Sequence, residues 1–95
     1  MRLERSRAAE RDLVSIRNFS IERFGAVVAR DYFFSFEDAF ALLCRHPYAG
    51  QSLESVRPGI RKLTHRQHRI LYEVLGDRVL ILRILHHAMS LDDRF

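Results

Sequence analysis

The sequence predicts an α+β fold in which an N-terminal strand and an antiparallel two-helix hairpin pack on a small sheet, which a three-strand antiparallel meander completes. Three observations predict this fold: helical spacing of apolar residues in the first half, a glycine between two helical stretches, and short β-rich runs in the second half. A chain of 95 residues suffices for one hydrophobic core, so we expect residues 1–95 to form a single domain.

The composition excludes several classes of protein. Hydrophobic residues make up 47% of the chain and charged residues 29%, which is typical of a globular protein and not of a disordered one. No apolar run approaches the ~18–20 residues that span a bilayer, and residues 1–7 lead into no signal-peptide pattern. Cys44 is the single cysteine, which excludes an internal disulfide and a cysteine-based zinc cluster. We therefore expect a cytoplasmic protein without membrane contacts.

The N-terminal strand and the first helix come from the first 25 residues. Residues 1–6 are predicted to form an edge strand, and Ser6 is a candidate N-cap for the helix that follows. Arg7–Phe24 is predicted to be that helix, because apolar or small residues recur every three or four positions. This recurring face consists of Ala9, Leu13, Ile16, Ser20 and Phe24. Gly25 follows directly and is typical of a C-cap glycine.

The second helix is predicted over about Ala26–Arg45, and Pro47 ends it. Its main apolar stripe consists of Ala29, Phe33, Phe36, Phe40 and Leu43. Further apolar residues beside the stripe indicate contact with both a partner helix and a sheet. The short link at Gly25 makes the two helices an antiparallel hairpin. Phe34 lies outside the stripe, so it should contact either an external apolar partner or a second small cluster within the protein.

The second half of the chain predicts the sheet. Residues 47–59 carry turn signals and are predicted to be irregular. Three β-rich runs then predict an antiparallel meander, and they lie at residues 60–63, 68–75 and 79–85. Residues 64–67 and 76–77 are the predicted turns. The last run is apolar except for Arg83, which indicates a central strand that is buried on one face and lined by a groove on the other.

Basic charge is concentrated in the second half of the chain. The formal net charge is +4, the isoelectric point is about 10.0, and every basic residue except Lys62 is an arginine. Residues 57–72 contain several basic side chains and no acidic one. Such a local field attracts polyanions or acidic partner segments, although an ordinary solvated face has the same pattern. Both interpretations stay open.

Several charged and imidazole side chains have structural interpretations. Arg83 within an apolar strand is expected to form an ion pair, with Glu73 on the neighbouring strand as the candidate partner. His86 at a strand end is expected to be hydrogen-bonded in the core or at its rim. His65 and His68 flank a predicted turn and are expected to face water.

Short motifs follow one another in a characteristic order along the chain. They include RAAERDLVSI near the start, FG between the helices, RPGIRKL, HRILYEV and ILRILHHAM. The ordered set resembles the ParE toxins of the RelE/ParE superfamily, which are the toxin halves of bacterial toxin–antitoxin pairs. The resemblance implies the fold predicted above, neutralisation by a ParD-like antitoxin, and inhibition of DNA gyrase by binding.

The resemblance and the charge pattern lead to two sets of candidate contacts. An acidic, amphipathic antitoxin helix would bury apolar area on the hairpin and pair with arginines of a positive groove. The candidate antitoxin contacts are Phe24, Val27, Phe34, Arg61, Arg69 and Arg83. The candidate target contacts are Arg66, His86, His87, Met89 and Arg94. No sequence-specific nucleic-acid contact is expected.

Two alternatives stay open. The superfamily includes RelE-like ribosome-dependent mRNA endonucleases, whose chemistry needs a general base, a general acid and cations for the phosphorane. Arg61 and Arg83 are the candidate cations, and His86 or His87 the candidate proton carrier. The chain ends in LDDRF, without the Tyr or His of RelE-type ends, so we interpret the protein as non-enzymatic. A basic nucleic-acid-binding domain is the second alternative.

Neither a cofactor motif nor metal-ligand spacing is present, so we expect no cofactor and no metal.

Overall fold

The computed structural model describes residues 1–89 and shows an α+β fold of two helices and five strands. The first three elements are β1 (Arg2–Arg5), α1 (Arg7–Phe24) and α2 (Ala26–Arg45). The remaining strands are β2 (Gln51–Ser52), β3 (Arg61–His65), β4 (His68–Leu75) and β5 (Arg78–His86). The predicted fold class is confirmed, with both helices at their predicted bounds.

Within residues 1–89, the strands form one sheet in the order β1–β5–β4–β3–β2. β1 runs parallel to β5, whereas the other neighbouring pairs are antiparallel. β1 is therefore an edge strand, as predicted. β5 lies between β1 and β4, as its apolar sequence predicted.

The strands differ from the predictions by one residue at several ends, and more clearly at β3 and β2. β3 extends to His65, so the turn to β4 consists of residues 66–67 only. Arg66 takes the positive φ of 53° in this tight turn. The short strand β2 lies in the segment predicted to be irregular, because Gln51 and Ser52 pair with the start of β3.

Local signals anchor the hairpin as predicted. The Ser6 hydroxyl accepts the Ala9 N–H at 3.0 Å, and it donates to the Leu82 carbonyl at 2.8 Å. Ser6 is therefore an N-cap that also ties the start of α1 to β5. Gly25 has a φ of +85°, which allows the direct turn from α1 into α2. Neither helix in the described part of the chain is both long and apolar enough to cross a membrane.

The hairpin packs on one face of the sheet. The main core joins Leu13 of α1, Phe36 and Phe40 of α2, and Ile70 and Ile81 of the sheet. Burial along α1 ends at Ser20, and along α2 it begins at Ala29. Residues 21–28 are all exposed, and we call them the hairpin tip. Phe24, the last residue of the predicted face of α1, therefore lies beyond the core.

The opposite face of the sheet carries a second apolar cluster. Leu71 and Leu85 of the sheet contact Leu53 and Ile60 in this cluster. The loop between β2 and β3 folds over these side chains, and the Leu53 N–H donates to the Ile60 carbonyl at 2.8 Å. The prediction of a groove along this side of β5 is therefore wrong, because the loop between β2 and β3 covers this face of the strand.

Candidate functional site

A groove of about 860 Å³ lies where the hairpin tip meets the end of the sheet, and we call it the tip groove. Both helices, the β3–β4 turn and the end of β5 contribute to its lining. Its apolar wall includes Phe19, Phe24 and Val28. Its polar end includes Tyr32, Arg66, His68 and His86. The groove therefore combines an apolar surface with a small set of converging polar groups.

The apolar side chains of the tip are open to solvent. Phe24, Val27 and Val28 are 60%, 64% and 52% exposed. A second groove of about 230 Å³ lies on the other side of α2, and we call it the outer groove. Phe34, which is 57% exposed, lines the outer groove with Phe33, so it lies outside the main core. Exposed apolar patches of this kind are typical of interaction surfaces.

Four histidines at the ends of the strands form what we call the imidazole cluster, namely His65, His68, His86 and His87. The β-sheet register pairs His65 with His68, and His68 with His86. The ring centroids of His68 and His86 are 5.5 Å apart, and those of His86 and His87 are 4.3 Å apart. Residues paired across strands share a face of the sheet, which explains why the cluster gathers there.

Helix α2 packs against this cluster. The Tyr32 hydroxyl lies 2.6 Å from Nδ1 of His68, and the Ser35 hydroxyl lies 2.7 Å from Nε2 of His65. The Phe36 ring centroid is 4.7 Å from that of His65. The prediction that His65 and His68 face water is therefore wrong. Their face of the sheet is the one that α2 covers.

Burial changes the ionisation of these groups. Burial, together with the neighbouring imidazoles of His86, His65 and His87, lowers the pKa of His68 to about 4. Burial also lowers the pKa of His65, with a further contribution from the Arg66 charge. Burial raises the pKa of Tyr32. At neutral pH, the Tyr32 hydroxyl is therefore protonated and can donate to a neutral His68.

The candidate target contacts that lie within residues 1–89 are neighbours in the structure. Arg66 and His86 line the tip groove, and the His87 ring lies 4.3 Å from that of His86. The Arg66 guanidinium lies 5.7 Å from the Tyr32 ring centroid. Met89 is exposed, and its N–H donates to the His86 carbonyl. Arg94 lies outside the described residues. Their contact with a target stays a prediction.

Two of the candidate antitoxin contacts on the sheet, Arg61 and Arg69, lie on opposite faces. Arg61 pairs with Tyr72, which belongs to the main core, whereas Arg69 pairs with Leu85 of the second cluster. Both guanidinium groups donate to the protein's own carbonyls, Arg61 in the loop before β2 and Arg69 in the turn after β5. Both side chains thus stabilise local loop structure.

The third of these arginines, Arg83, forms a bidentate ion pair with Asp12 of α1. The two nitrogen–oxygen distances are 2.8 and 3.0 Å, and the Ile84 N–H donates to the same carboxylate at 2.9 Å. Hydrogen bonding to Asp12 raises the pKa of Arg83. The prediction that Arg83 forms a structural ion pair is confirmed. The predicted partner, Glu73, is wrong, because the partner is Asp12. β1 stops pairing with β5 after Ile81, and the Asp12 carboxylate of α1 binds the next stretch of β5.

The three sheet arginines therefore do not line one positive groove, and that expectation is wrong. Their contact with an antitoxin stays a prediction.

The sequence analysis did not identify Phe19, Val28 and Tyr32 as lining residues of the tip groove. Phe19 lies outside the apolar stripe of α1. A large apolar residue outside the stripe is a signal for a position outside the core, and this signal identified Phe34 and could have identified Phe19. Within residues 1–89, no group of three or more His, Cys, Asp or Glu side chains is arranged to hold a metal ion.

Comparison with known proteins gives consistent matches over nearly the whole chain. The family model described as the ParE toxin of the type II toxin–antitoxin system parDE matches residues 3–91. The chain is 36% identical over 85 residues to Toxin ParE1 of Caulobacter vibrioides, covering 90% of this chain and 88% of that protein. It is 31% identical over 88 residues to Toxin ParE1 of Mycobacterium tuberculosis, covering 92% and 90%.

Solved structures support the same fold. A chain of the chromosomal ParDE TA system from P. aeruginosa is similar, with a TM-score of 0.80, 26% identity and coverage of 90% of this chain and 95% of that one. The isolated E. coli RelE toxin is similar with a TM-score of 0.61, 15% identity and coverage of 94% and 86%. At that identity, the likeness to RelE shows a common fold only.

Proposed function

The chain belongs to the ParE toxin family of type II toxin–antitoxin systems, and we propose that it inhibits DNA gyrase by binding and is neutralised by a ParD-like antitoxin. The observation that carries this proposal is the exposed apolar surface of the hairpin tip. Phe24, Val27 and Val28 are exposed although the same chain buries other apolar residues of the same helices. A surface of this kind is explained by a macromolecular partner that covers it.

An acidic, amphipathic helix matches this surface. The tip groove and the outer groove lie on two sides of α2, and each offers apolar side chains. Cations lie at their margins: Arg66 at the tip groove, and Arg17 and Arg30 at the outer groove. Within residues 1–89, no carboxylate lies within ion-pair distance of Arg66. A partner helix would therefore bury its apolar stripe in a groove and place a carboxylate beside Arg66.

The same groove supports a simple model of neutralisation. Arg66 and His86 are candidate target contacts, and both line the tip groove. An antitoxin helix in this groove would cover them. We expect antitoxin and gyrase to compete for the tip groove, so that neutralisation is steric exclusion of the target.

Binding is favoured over nuclease chemistry by the positions of two arginines. A RelE-like mechanism would use Arg61 and Arg83 to stabilise the phosphorane. Arg61 instead donates to loop carbonyls, and Arg83 is held by Asp12. Neither is among the residues that line the tip groove. We expect purified toxin to leave mRNA intact in a translating extract.

A supercoiling assay with purified toxin and gyrase tests the proposal. Toxin at micromolar concentration should block supercoiling, and Val28→Asp should weaken the block because it places a carboxylate on the apolar wall. Val14→Asp is the matched control, since Val14 is an exposed valine of α1 that lines neither groove. Unimpaired supercoiling with wild-type toxin, together with mRNA cleavage, would favour the RelE-like alternative.

Expression in cells tests the antitoxin half of the proposal. Induction of the toxin alone should cause filamentation with DNA damage, and co-expression of an acidic, amphipathic antitoxin from the neighbouring reading frame should restore growth. Toxicity that stops translation without DNA damage would contradict gyrase as the target. Growth that no neighbouring gene product restores would contradict the antitoxin assignment.

A further inference from the structure

The imidazole cluster joins the hairpin to the sheet beside the tip groove. His65, His68 and His86 occupy paired positions on three adjacent strands, and the His87 ring lies tilted beside that of His86. The Tyr32 side chain of α2 lies over this row, with its ring centroid 6.2 Å from that of His65 and 5.6 Å from that of His68. The contact between α2 and this end of the sheet is therefore largely a contact with imidazoles.

Of the two hydrogen bonds in this contact, the one between Tyr32 and His68 is sensitive to protonation, whereas the one between Ser35 and His65 is compatible with both states of the ring. The Ser35 hydroxyl donates its proton to the Tyr32 carbonyl, so it can only accept from Nε2 of His65. The Tyr32 hydroxyl, as the donor, needs an unprotonated Nδ1 on His68. Protonation of His68 would turn Nδ1 into a donor, so the Tyr32 hydroxyl would have to turn its own proton away and accept instead.

We propose that the imidazole cluster is a pH-sensitive switch, which holds α2 against the sheet while its histidines are neutral and releases the hairpin tip when they are protonated. The proposal rests on the proposed function in one respect, because the tip is the surface assigned there to the antitoxin. Acid would therefore weaken the antitoxin contact by disordering the surface on which it docks.

The charges around His68 favour this direction of the switch. Arg66 of the β3–β4 turn and the other imidazoles add positive charge when the cluster is protonated. Two carboxylates of the helices act on the cluster, Asp12 of α1 on His68 and Asp38 of α2 on His65, and Asp31 of α2 lines the same groove as His68. Asp12 is already bound to Arg83, and Asp31 lies 3.8 Å from Arg30. These carboxylates therefore compensate only part of the added charge.

The pH window follows from the direction of the pKa shift. The pKa of His68 is lowered from its ordinary 6.5 to about 4, mainly by burial. Because the released state binds the proton more readily, the contact is fully stable above about pH 6.5 and is lost as the pH falls toward 4. At pH 5, release should be on the order of tenfold more favourable than at pH 7.5, after allowance for the partial exposure of the ring.

Amide hydrogen exchange of the full-length toxin at pH 7.5 and pH 5 tests the proposal. Protection factors, which correct for the intrinsic pH dependence of exchange, should fall about tenfold in the tip and the first half of α2. His68→Gln keeps a hydrogen-bonding side chain without a titratable charge, and it should abolish most of this fall. His46→Gln is the matched control, because His46 is an exposed histidine at the end of α2 outside the cluster.

Two results would overturn the switch. One is a fall in protection that is the same in wild type and in His68→Gln. The other is an NMR titration of wild-type His68 with a pKa at or above 6.5, which remains informative even if the variant does not fold. Neither measurement needs antitoxin or gyrase. A failure of the switch therefore leaves the proposed function intact. Conversely, a toxin that does not inhibit gyrase would still show the loss of protection at pH 5.

Discussion

The base and the tip of the helical hairpin contain the same kinds of residue in opposite environments. At the base, Leu13, Phe36 and Phe40 are almost completely buried against the sheet. At the tip, Phe24 and Val27 are more than half exposed. The two regions are continuous helix, so helix propensity does not account for the difference. What differs is whether the sheet lies beneath that turn of the hairpin.

This difference in burial separates residues that stabilise the fold from residues that are accessible to a partner. Apolar burial at the base stabilises the toxin itself, because each large side chain removes apolar area from water on folding. Apolar residues at the tip gain no such burial in the isolated chain. We therefore expect substitutions of apolar residues at the base to lower the free energy of unfolding, and substitutions of apolar side chains at the tip to change binding with little effect on folding.

The largest expected effect belongs to a pair of phenylalanines on α2. Phe36→Ala should lower the free energy of unfolding by about 3–5 kcal/mol, because it leaves a cavity at a 1% exposed position. Phe34→Ala is the matched control and should change it by about 0.5 kcal/mol or less. Urea denaturation followed by circular dichroism measures both. Equal losses would show that the outer groove belongs to the toxin's own core.

The next effect is on binding at the tip. Phe24→Ala should weaken antitoxin affinity on the order of 10- to 100-fold, which corresponds to about 1.4–2.8 kcal/mol. The free energy of unfolding should hardly change, because Phe24 makes little contact with the main core. Calorimetric titration with the cognate antitoxin measures the affinity. A full-strength complex with Phe24→Ala would place the antitoxin elsewhere on the toxin.

The base of the hairpin could be predicted from the sequence because its signals are local. The three- and four-residue spacing of apolar residues, the N-cap Ser6 and the glycine at the turn act within a few positions of one another. Exposure of the tip could not be predicted this way. Phe24 continues the spacing of α1, four residues after the buried Ser20, and only the position of the sheet decides which turn of the helix is covered.

The contacts of the sheet arginines and histidines could not be predicted for a related reason. Asp12 and Arg83 are 71 positions apart, and nothing local indicates their pairing. The faces of Arg61 and Arg69 depend on the β3–β4 register, since a strand alternates its side chains between two faces. The burial of His68 depends on Tyr32, which lies on a different element.

A smaller effect tests how the base of the hairpin is held on the sheet. Asp12→Ala should lower the free energy of unfolding by about 1–2 kcal/mol, because it leaves the half-buried Arg83 and the Ile84 N–H without their carboxylate. Glu10→Ala is the control, since its ion pair with Arg5 is largely exposed, and it should cost less than about 0.5 kcal/mol. Equal losses would contradict a special role for the Asp12 contact.

The smallest effect concerns the turn at the tip. Gly25 has a φ of +85° and a ψ of 168°, a conformation that side chains strongly disfavour, yet no atom lies within 4 Å of an added Cβ. Gly25→Ala should therefore lower the free energy of unfolding through backbone strain alone, by about 1 kcal/mol. Urea denaturation measures this loss. A stability equal to wild type would mean that the turn relaxes to a backbone conformation that an alanine accepts without strain.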